Sequence, residues 1–335
     1  MKRRSRIVGT GMDVPERVVT NQDMTQWMET SDEWIRQRSG VEERRWVVDG
    51  ETPADLAERA TRRALNDARL GAGDVDCIIL ATLSPQHHFP GTAFFLHQRL
   101  DFGETPCFDL HAQCSGFLFS LAAADSFIRA GQFDRVLVVG CEVHSTGIDI
   151  STRGRDVAVL FGDGAGAVLL EANEDDGDPG GILGSRMHSE GRFADKLWLE
   201  GPASAEWPLR ITHEMIDDGR VFPKMEGRVV FKHAVTRMPQ VLMETLHAAS
   251  LKPDDVDWFL FHQANLRINE FVAKSLELPP EKCPNNIQRY GNCSAAAIPM
   301  LLDEIRRDGR AKPGQIVCMT GFGSGFTWGS CVVRL

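Results

Sequence analysis

Leu70-Gly-Ala-Gly-Asp-Val-Asp76 runs into the apolar stretch Cys77-Ile-Ile-Leu80, and the pattern returns as Leu251-Lys-Pro-Asp-Asp-Val-Asp257 before Trp258-Phe-Leu-Phe261. Both read as a helix end, a polar turn and a buried strand. A second echo keeps the same order: Phe133-Asp-Arg-Val-Leu-Val-Val-Gly140 is matched by Lys312-Pro-Gly-Gln-Ile-Val-Cys-Met-Thr-Gly321. Helix-turn-strand units are common in α/β proteins, but two of them in the same order in both halves favour duplication. The apolar periodicity stops at Glu171-Ala-Asn-Glu-Asp-Asp-Gly-Asp-Pro-Gly-Gly181, an acidic, glycine-rich connection. The halves are therefore expected at residues 1–175 and 176–335.

Outward from the first repeat lies Asp109-Leu-His-Ala-Gln-Cys114-Ser-Gly-Phe-Leu-Phe119, which sets one cysteine between a strand-like run and a helical one. Ser115 to Arg129 carries an apolar helical face and meets a stop at Gly131. A cysteine at a helix start faces unpaired N–H groups, which predicts a lowered thiol pKa and a nucleophilic Cys114. Outward from the second repeat, Phe259-Leu-Phe-His262-Gln-Ala-Asn265 reads as a buried strand delivering a histidine at its end. Tyr290-Gly-Asn292-Cys-Ser-Ala-Ala-Ala297 reads as a turn delivering an asparagine before a helix. Alone, each would be a core cysteine, a satisfied core histidine and a turn asparagine. Together they form an acyl-transfer set.

Two glycine-rich segments, Gly162-Asp-Gly-Ala-Gly166 and Gly321-Phe-Gly-Ser-Gly325, are each followed by strand-like residues. A dinucleotide fingerprint needs a helix there, so these glycines are read as close backbone packing at the site. Nor does a G-x-S-x-G elbow or a Schiff-base lysine context occur, which weakens hydrolase and aldolase readings.

The chain resembles the β-ketoacyl-acyl carrier protein synthase III enzymes of the thiolase-like superfamily over nearly its whole length. The resemblance is carried by Thr30-Ser-Asp-Glu-Trp34-Ile-Arg-Gln-Arg38-Ser-Gly-Val, Cys114-Ser-Gly, Phe161-Gly-Asp-Gly-Ala-Gly-Ala167, His262-Gln-Ala-Asn-Leu-Arg267, Gly291-Asn292 and Gly325-Phe-Thr-Trp-Gly329. It implies a five-layer αβαβα sandwich built from two duplicated halves. It also implies a homodimer that moves an acyl group from a CoA thioester to a cysteine and condenses it with malonyl-acyl carrier protein, with no further cofactor.

The resemblance assigns roles residue by residue. Cys114 is the nucleophile, the backbone N–H groups of Cys114 and Ser324 form the oxyanion hole, and His262 and Asn292 stabilise the enolate left by decarboxylation. Ser324 stands where many members have glycine. Trp34 would stack on the CoA adenine with Arg38 and Arg155 nearby. The loop Ser151-Thr-Arg153-Gly-Arg155 is longer than the commoner family loop, and Arg153 is the rival for that place. Gly227 and Asn265 would border the pantetheine tunnel, while Phe89, His144 and Phe231 would shape the acyl pocket, Phe89 from across the dimer. Lys232, Arg267 and Lys274 would dock the acidic carrier protein.

Composition agrees. The 335 residues are 42% hydrophobic and can bury one large core or two packed halves. No run of about 18 apolar residues exists, and the basic Met1-Lys-Arg-Arg start precedes only a short apolar strand, so neither a membrane span nor a signal peptide is expected. Eight cysteines without a C-x-x-C pair argue against a zinc site or disulfide framework and for a reducing, cytoplasmic setting. A net charge of −10 disfavours nucleic acid while leaving room for a local basic patch. Departures such as His144, Cys293 and the long stretch Glu200–Met225 keep open a relative working in secondary metabolism or joining two long acyl chains. The joining enzymes carry a glutamate in the loop Ser84–Phe95, which here holds no carboxylate. A noncatalytic thiolase-like partner is the alternative of another class.

Overall fold

Both aspartates of the repeated Asp-Val-Asp turn do the same work twice. In the computed structural model, which describes residues 3–174 and 180–335, Asp74 accepts the Gly71 N–H at 2.8 Å and Asp255 accepts the Lys252 N–H at 2.8 Å. Each carboxylate closes a single tight turn by satisfying an otherwise unpaired donor. Asp76 then accepts the Arg135 N–H and Asp257 the Ile316 N–H, both at 2.8 Å, where the next strand of each sheet begins. The echo seen in the sequence is thus a repeated hydrogen-bond device that starts one strand and pins its neighbour.

The first sheet contains β1 (Arg4–Asp13), β2 (Cys77–Ala81), β3 (Cys107–Leu110), β4 (Arg135–Glu142) and β5 (Gly164–Asn173), in the order β1-β5-β4-β2-β3. The second contains β6 (Gly181–Ser189), β7 (Trp258–Phe261), β8 (Ile316–Gly323) and β9 (Thr327–Arg334), in the order β6-β9-β8-β7. Pairings match position by position: β2 runs parallel to β4 and β7 to β8, β5 is antiparallel to β1 and β4 as β9 is to β6 and β8, and β3 adds a further parallel pair with β2. Only β3, an edge strand, lacks a counterpart. The expected boundary at 175/176 falls on residues outside the described ones.

Helices follow the same plan. α1 (Pro53–Ala68) and α2 (Thr92–Leu100) cover the outer face of the first sheet, burying Leu56, Ala60, Leu65 and Leu96 against Ile78, Leu80, Leu137 and Val139. α3 (Gly116–Arg129) and α6 (Ala297–Arg307) lie between the sheets, with Phe117, Leu121, Leu301 and Ile305 packed against Ile79 and Val138 on one side and Leu260 and Met319 on the other. α4 (Gly227–Ala248) and α5 (Leu266–Ser275) cover the second sheet through Met238, Leu242, Ile268 and Val272. The result is the expected αβαβα sandwich. Strands buried on both faces explain why Cys77-Ile-Ile-Leu80 reads as a continuous apolar run instead of an alternating one. Both glycine-rich segments lead into strands, β5 and β9, as expected.

Both inner helices begin with the same kink. Gln113 (φ 46°) and Ser294 (φ 44°) take left-handed backbone, each opens one turn of tight helix, and α3 or α6 follows. The long stretch between β6 and α4 forms a small hairpin, Leu197–Trp198 paired with Lys224–Met225, and leans over the mouth between the halves.

Candidate active site

The left-handed Gln113 lifts the chain out of β3 so that Cys114 sits at the head of α3, buried between the halves. Its environment reverses one expectation. The helix start predicts a lowered thiol, but burial pushes the Cys114 thiol up to about 11, helped by the charge of Glu142 and opposed by the Ser294 hydroxyl. Desolvation penalises a thiolate more than the helix start rewards it, so the resting group is a thiol. Gly323 packs closely against Cys114: a Cβ there would stand 2.9 Å from the Cys114 Cβ and 3.0 Å from its amide nitrogen.

His262 stands at the end of β7, its N–H donated to the Thr320 carbonyl at 2.9 Å. Neither of its ring nitrogens has a hydrogen-bond partner among the described residues. Burial holds the imidazole down at about 4, so it is neutral at pH 7. That answers what the sequence left undecided.

Asn292 is fixed from three sides. Its N–H is donated to the Leu160 carbonyl at 2.8 Å, its carbonyl accepts the Gly162 N–H at 3.2 Å, and its Oδ1 accepts the Ser294 N–H at 2.9 Å. With Oδ1 committed, the side-chain NH₂ is the end left for a ligand.

Cys114, His262 and Asn292 line one cavity of about 710 Å³, which also receives Trp34, Arg38, Gly227, Phe231, Asn265 and Arg267. Asn265 caps α5 through its Oδ1 and donates its NH₂ to the Arg38 carbonyl at 2.9 Å, tying the helix Asp32–Ser39 to α5 across the mouth. The guanidinium carbons of Arg38 and Arg155 lie 4.7 Å and 4.4 Å from the Trp34 ring centroid. Arg153 points elsewhere, bonded to Asp149 at 2.6 Å and to the Asp217 carbonyl at 2.7 Å. The tertiary fold therefore puts Arg155, not Arg153, beside Trp34.

Other candidates fall in different places. Phe231 sits at the rim, its ring 6.4 Å from exposed Phe271 and 5.8 Å from the Arg267 guanidinium. Lys232 on α4 and Arg267 and Lys274 on α5 are all exposed, and of the three Arg267 lines the cavity. His144 is buried with its ring 4.6 Å from Phe161, its Nε2 has no partner among the described residues, and burial together with nearby His262 lowers it to about 3. Phe89 is 84% exposed and does not line its own chain's cavity. Ser324 makes the turn between β8 and β9, and its hydroxyl donates to the Leu197 carbonyl. Gly323 makes the close packing expected of its glycine-rich segment, but sequence reasoning passed over Ser294 and Glu142. Nothing local marks them, because each matters only through groups brought in from the other half.

A cysteine, a neutral histidine and a fixed amide, gathered on one cavity where two duplicated halves meet, define a thiolase-like condensing enzyme. The family model for 3-oxoacyl-[acyl-carrier-protein (ACP)] synthase III matches residues 108–191, and the model for its C-terminal part matches residues 246–335. The β-ketoacyl-[acyl-carrier-protein] synthase III of Methylococcus capsulatus is 46% identical over 334 residues, covering 100% of both chains. The crystal structure of 3-oxoacyl-[acyl-carrier-protein] synthase III from Aquifex aeolicus VF5 superposes with a TM-score of 0.90 at 40% identity, covering 99% of this chain and 100% of that one. The priming β-ketosynthase of the R1128 polyketide pathway superposes at 0.89 with 29% identity, covering 100% and 97%. The chain belongs to the 3-oxoacyl-[acyl-carrier-protein] synthase III family. It is an acyltransferase of the condensing type that forms a β-ketoacyl thioester by decarboxylative Claisen condensation through an acyl-cysteine.

Proposed function

We propose that Cys114 takes an acyl group from acyl-CoA and that His262 and Asn292 serve the second half-reaction with malonyl-acyl carrier protein. The observation that carries this reading is the shared cavity: the sulfur lies at its closed end and Trp34, Arg38 and Arg267 stand at its mouth. In the first step the sulfur attacks the thioester carbonyl while the N–H groups of Cys114 and Ser324 receive the oxyanion; the close approach of Gly323 to Cys114 supports that pairing. In the second, malonyl thioester loses carbon dioxide and its oxygen becomes enolate-like. A neutral imidazole and an amide NH₂ can both donate to that oxygen, and neither must give up a charge to do so. The carbanion then attacks the acyl-cysteine.

Trp34 offers a face for adenine, with Arg38 and Arg155 for phosphates, while Gly227 and Asn265 border the pantetheine arm. Lys232, Arg267 and Lys274 form a local basic rim on a chain of net charge −10, suited to an acidic carrier protein. The functional unit is a homodimer. Edge strand β3, with exposed Phe108 and neighbouring exposed Phe89 and Phe94, supports an interface there, and Phe89 then enters the partner's acyl pocket. Among the described residues no helix is long and apolar enough to cross a membrane, and the reading places the enzyme in the cytoplasm.

His144 supports a second reading in which the primer is a starter unit for a secondary metabolite. An unpartnered ring nitrogen beside Phe161 suits a polar acyl group better than an alkyl tail. Intact-protein mass spectrometry with a panel of acyl-CoAs tests both. A mass increment that disappears in Cys114→Ser is expected, and the preferred donor separates the readings. No increment with any donor would overturn the assignment of Cys114.

A further inference from the structure

Among the described residues the Cys114 sulfur receives one side-chain hydrogen bond, and its donor comes from the other half. Ser294 Oγ donates to Cys114 Sγ across 3.5 Å, with Ser294 fully buried and Cys114 nearly so. The serine is held by its backbone. Its φ of 44° opens the kink before α6, its N–H is donated to Asn292 Oδ1 at 2.9 Å, and the next N–H, that of Ala295, is donated to the Glu142 carboxylate at 3.3 Å. None of these bonds uses the hydroxyl, which is left to the sulfur.

The other polar groups nearby are engaged elsewhere or make no bond to the sulfur. Both ring nitrogens of His262 lack a hydrogen-bond partner among the described residues, so the imidazole does not hold the sulfur. Asn292 spends its Oδ1 on the Ser294 N–H. Glu142 is held by the Thr82 and Ser84 hydroxyls and by the Leu83 and Ser84 N–H groups, and Cys293 donates to the Tyr290 carbonyl at 3.4 Å. A sulfur accepts weakly as a thiol and strongly once it carries charge, so a hydroxyl already aimed at it tightens as the thiolate forms. Burial and the charge of Glu142 push the Cys114 thiol up, and the Ser294 hydroxyl acts against both.

We propose that Ser294 is a catalytic residue whose hydroxyl stabilises the Cys114 thiolate, both as it attacks and as it leaves, an inference that rests on Cys114 being the nucleophile. In acylation the bond from sulfur to the acyl carbon forms and the bond from that carbon to the CoA sulfur breaks; the proton of the Cys114 thiol ends on CoA, so none is gained or lost. In condensation the malonyl-derived carbanion bonds to the acyl carbon, and the carbon–sulfur bond breaks with its electron pair on Cys114. The Ser294 hydroxyl meets that charge as a hydrogen-bond donor and keeps its own proton. Solvent then returns a proton to the sulfur. The role is separate from those of His262 and Asn292, which act on the malonyl oxygen.

Ser294→Ala and Ser294→Gly both remove the hydroxyl, and glycine accepts the left-handed backbone if the alanine variant does not fold. The first measurement is the rate of Cys114 alkylation by iodoacetamide between about pH 7 and about pH 10. Loss of a hydrogen bond to a charged group lowers the thiolate population roughly ten- to hundredfold, and the greater nucleophilicity of a more basic thiolate restores about half of that on a logarithmic scale. Alkylation at a fixed pH is therefore expected to fall about three- to tenfold in both variants. The second is discharge of preformed acyl-enzyme by malonyl-acyl carrier protein, where sulfur is the leaving group and no such offset applies; a fall on the order of ten- to hundredfold is expected. A serine that only holds Asn292 in place predicts an alkylation profile equal to wild type, and a loss of carbon dioxide release that persists once Cys114 has been carbamidomethylated. Either observation overturns the assignment. Peptide mapping keeps the two readings apart: an acyl group found elsewhere than on Cys114 would sink the nucleophile and its donor together, whereas acyl-Cys114 with an unmoved alkylation profile sinks Ser294 alone.

Discussion

The inner helices α3 and α6 begin alike and carry different chemistry. Gln113 and Ser294 occupy equivalent kinks, but Cys114 follows the first and Ala295 the second. The strand ends are the mirror case, with Ala81 closing β2 and His262 standing just past β7. In the proposed function each half therefore supplies what the other lacks: a nucleophile from the first, and an imidazole with an amide from the second. Duplication provides two equal frames aimed at one point, and single residues at matched positions divide the work.

The harshest way to break this comparison is Cys114→Ala. Acylation is expected to vanish and turnover to drop by several orders of magnitude, while thermal unfolding shifts little because a buried cysteine tolerates alanine. Adding Ala295→Cys to that variant should restore nothing, since Ala295 does not line the cavity that Cys114, His262 and Asn292 share; recovered acylation in the double variant would show the halves to be interchangeable. Next come His262→Ala and Asn292→Ala. Each is expected to lower release of labelled carbon dioxide from malonyl-acyl carrier protein by roughly 10²- to 10³-fold and to spare acyl-enzyme formation. Equal damage to both half-reactions would make His262 the base for the thiol and remove the division of labour.

A smaller effect concerns stability against pH. His262 and His144 are depressed to about 4 and about 3 from 6.5, so the stability they contribute is fully present above pH 6.5 and is lost as pH falls through their folded values. Glu142 is raised from 4.5 to about 7, so its contribution is present below 4.5 and fades as pH rises through 7. Unfolding monitored across this range should give a dome, flattened on the acid side by His144→Phe and on the alkaline side by Glu142→Gln. A curve unchanged by His144→Phe would mean that this histidine is already paired in solution. The mildest prediction is Phe89→Ala, which should extend the accepted acyl chain by several carbons. Each added methylene is worth about 0.8 kcal/mol, or roughly fourfold in selectivity. An unaltered chain-length profile would leave Phe89 as packing alone.

How far the sequence could be read depended on whether the determining contacts were local. The Asp-Val-Asp turns are complete within a few residues, so the duplication was legible before any fold was known. Cys114, His262 and Asn292 stand at the ends of apolar runs or in the turn before a helix, and the structure brings all three to one cavity. Ser294 and Glu142 were not legible, because the serine approaches the sulfur only after α6 packs against α3 across the seam. The thiol was misread because the helix start lies beside it in sequence, whereas the burial that outweighs it is assembled from both halves. Arg153 and Arg155 could not be separated by spacing; the bonds from Arg153 to Asp149 and the Asp217 carbonyl decide between them.

Beside the site, two glycines bring the halves together with no room for a side chain. A Cβ on Gly140 would stand 2.3 Å from the Ala295 carbonyl oxygen, just as one on Gly323 would collide with Cys114. Such contacts leave no side chain that could be trimmed or enlarged by degrees, so inherited variation at the seam is all or nothing. New substrate preferences must then arise at the periphery, in the hairpin that leans over the mouth, the basic rim and the exposed Phe89 loop, where sequence can drift in small steps while the reacting atoms keep their places.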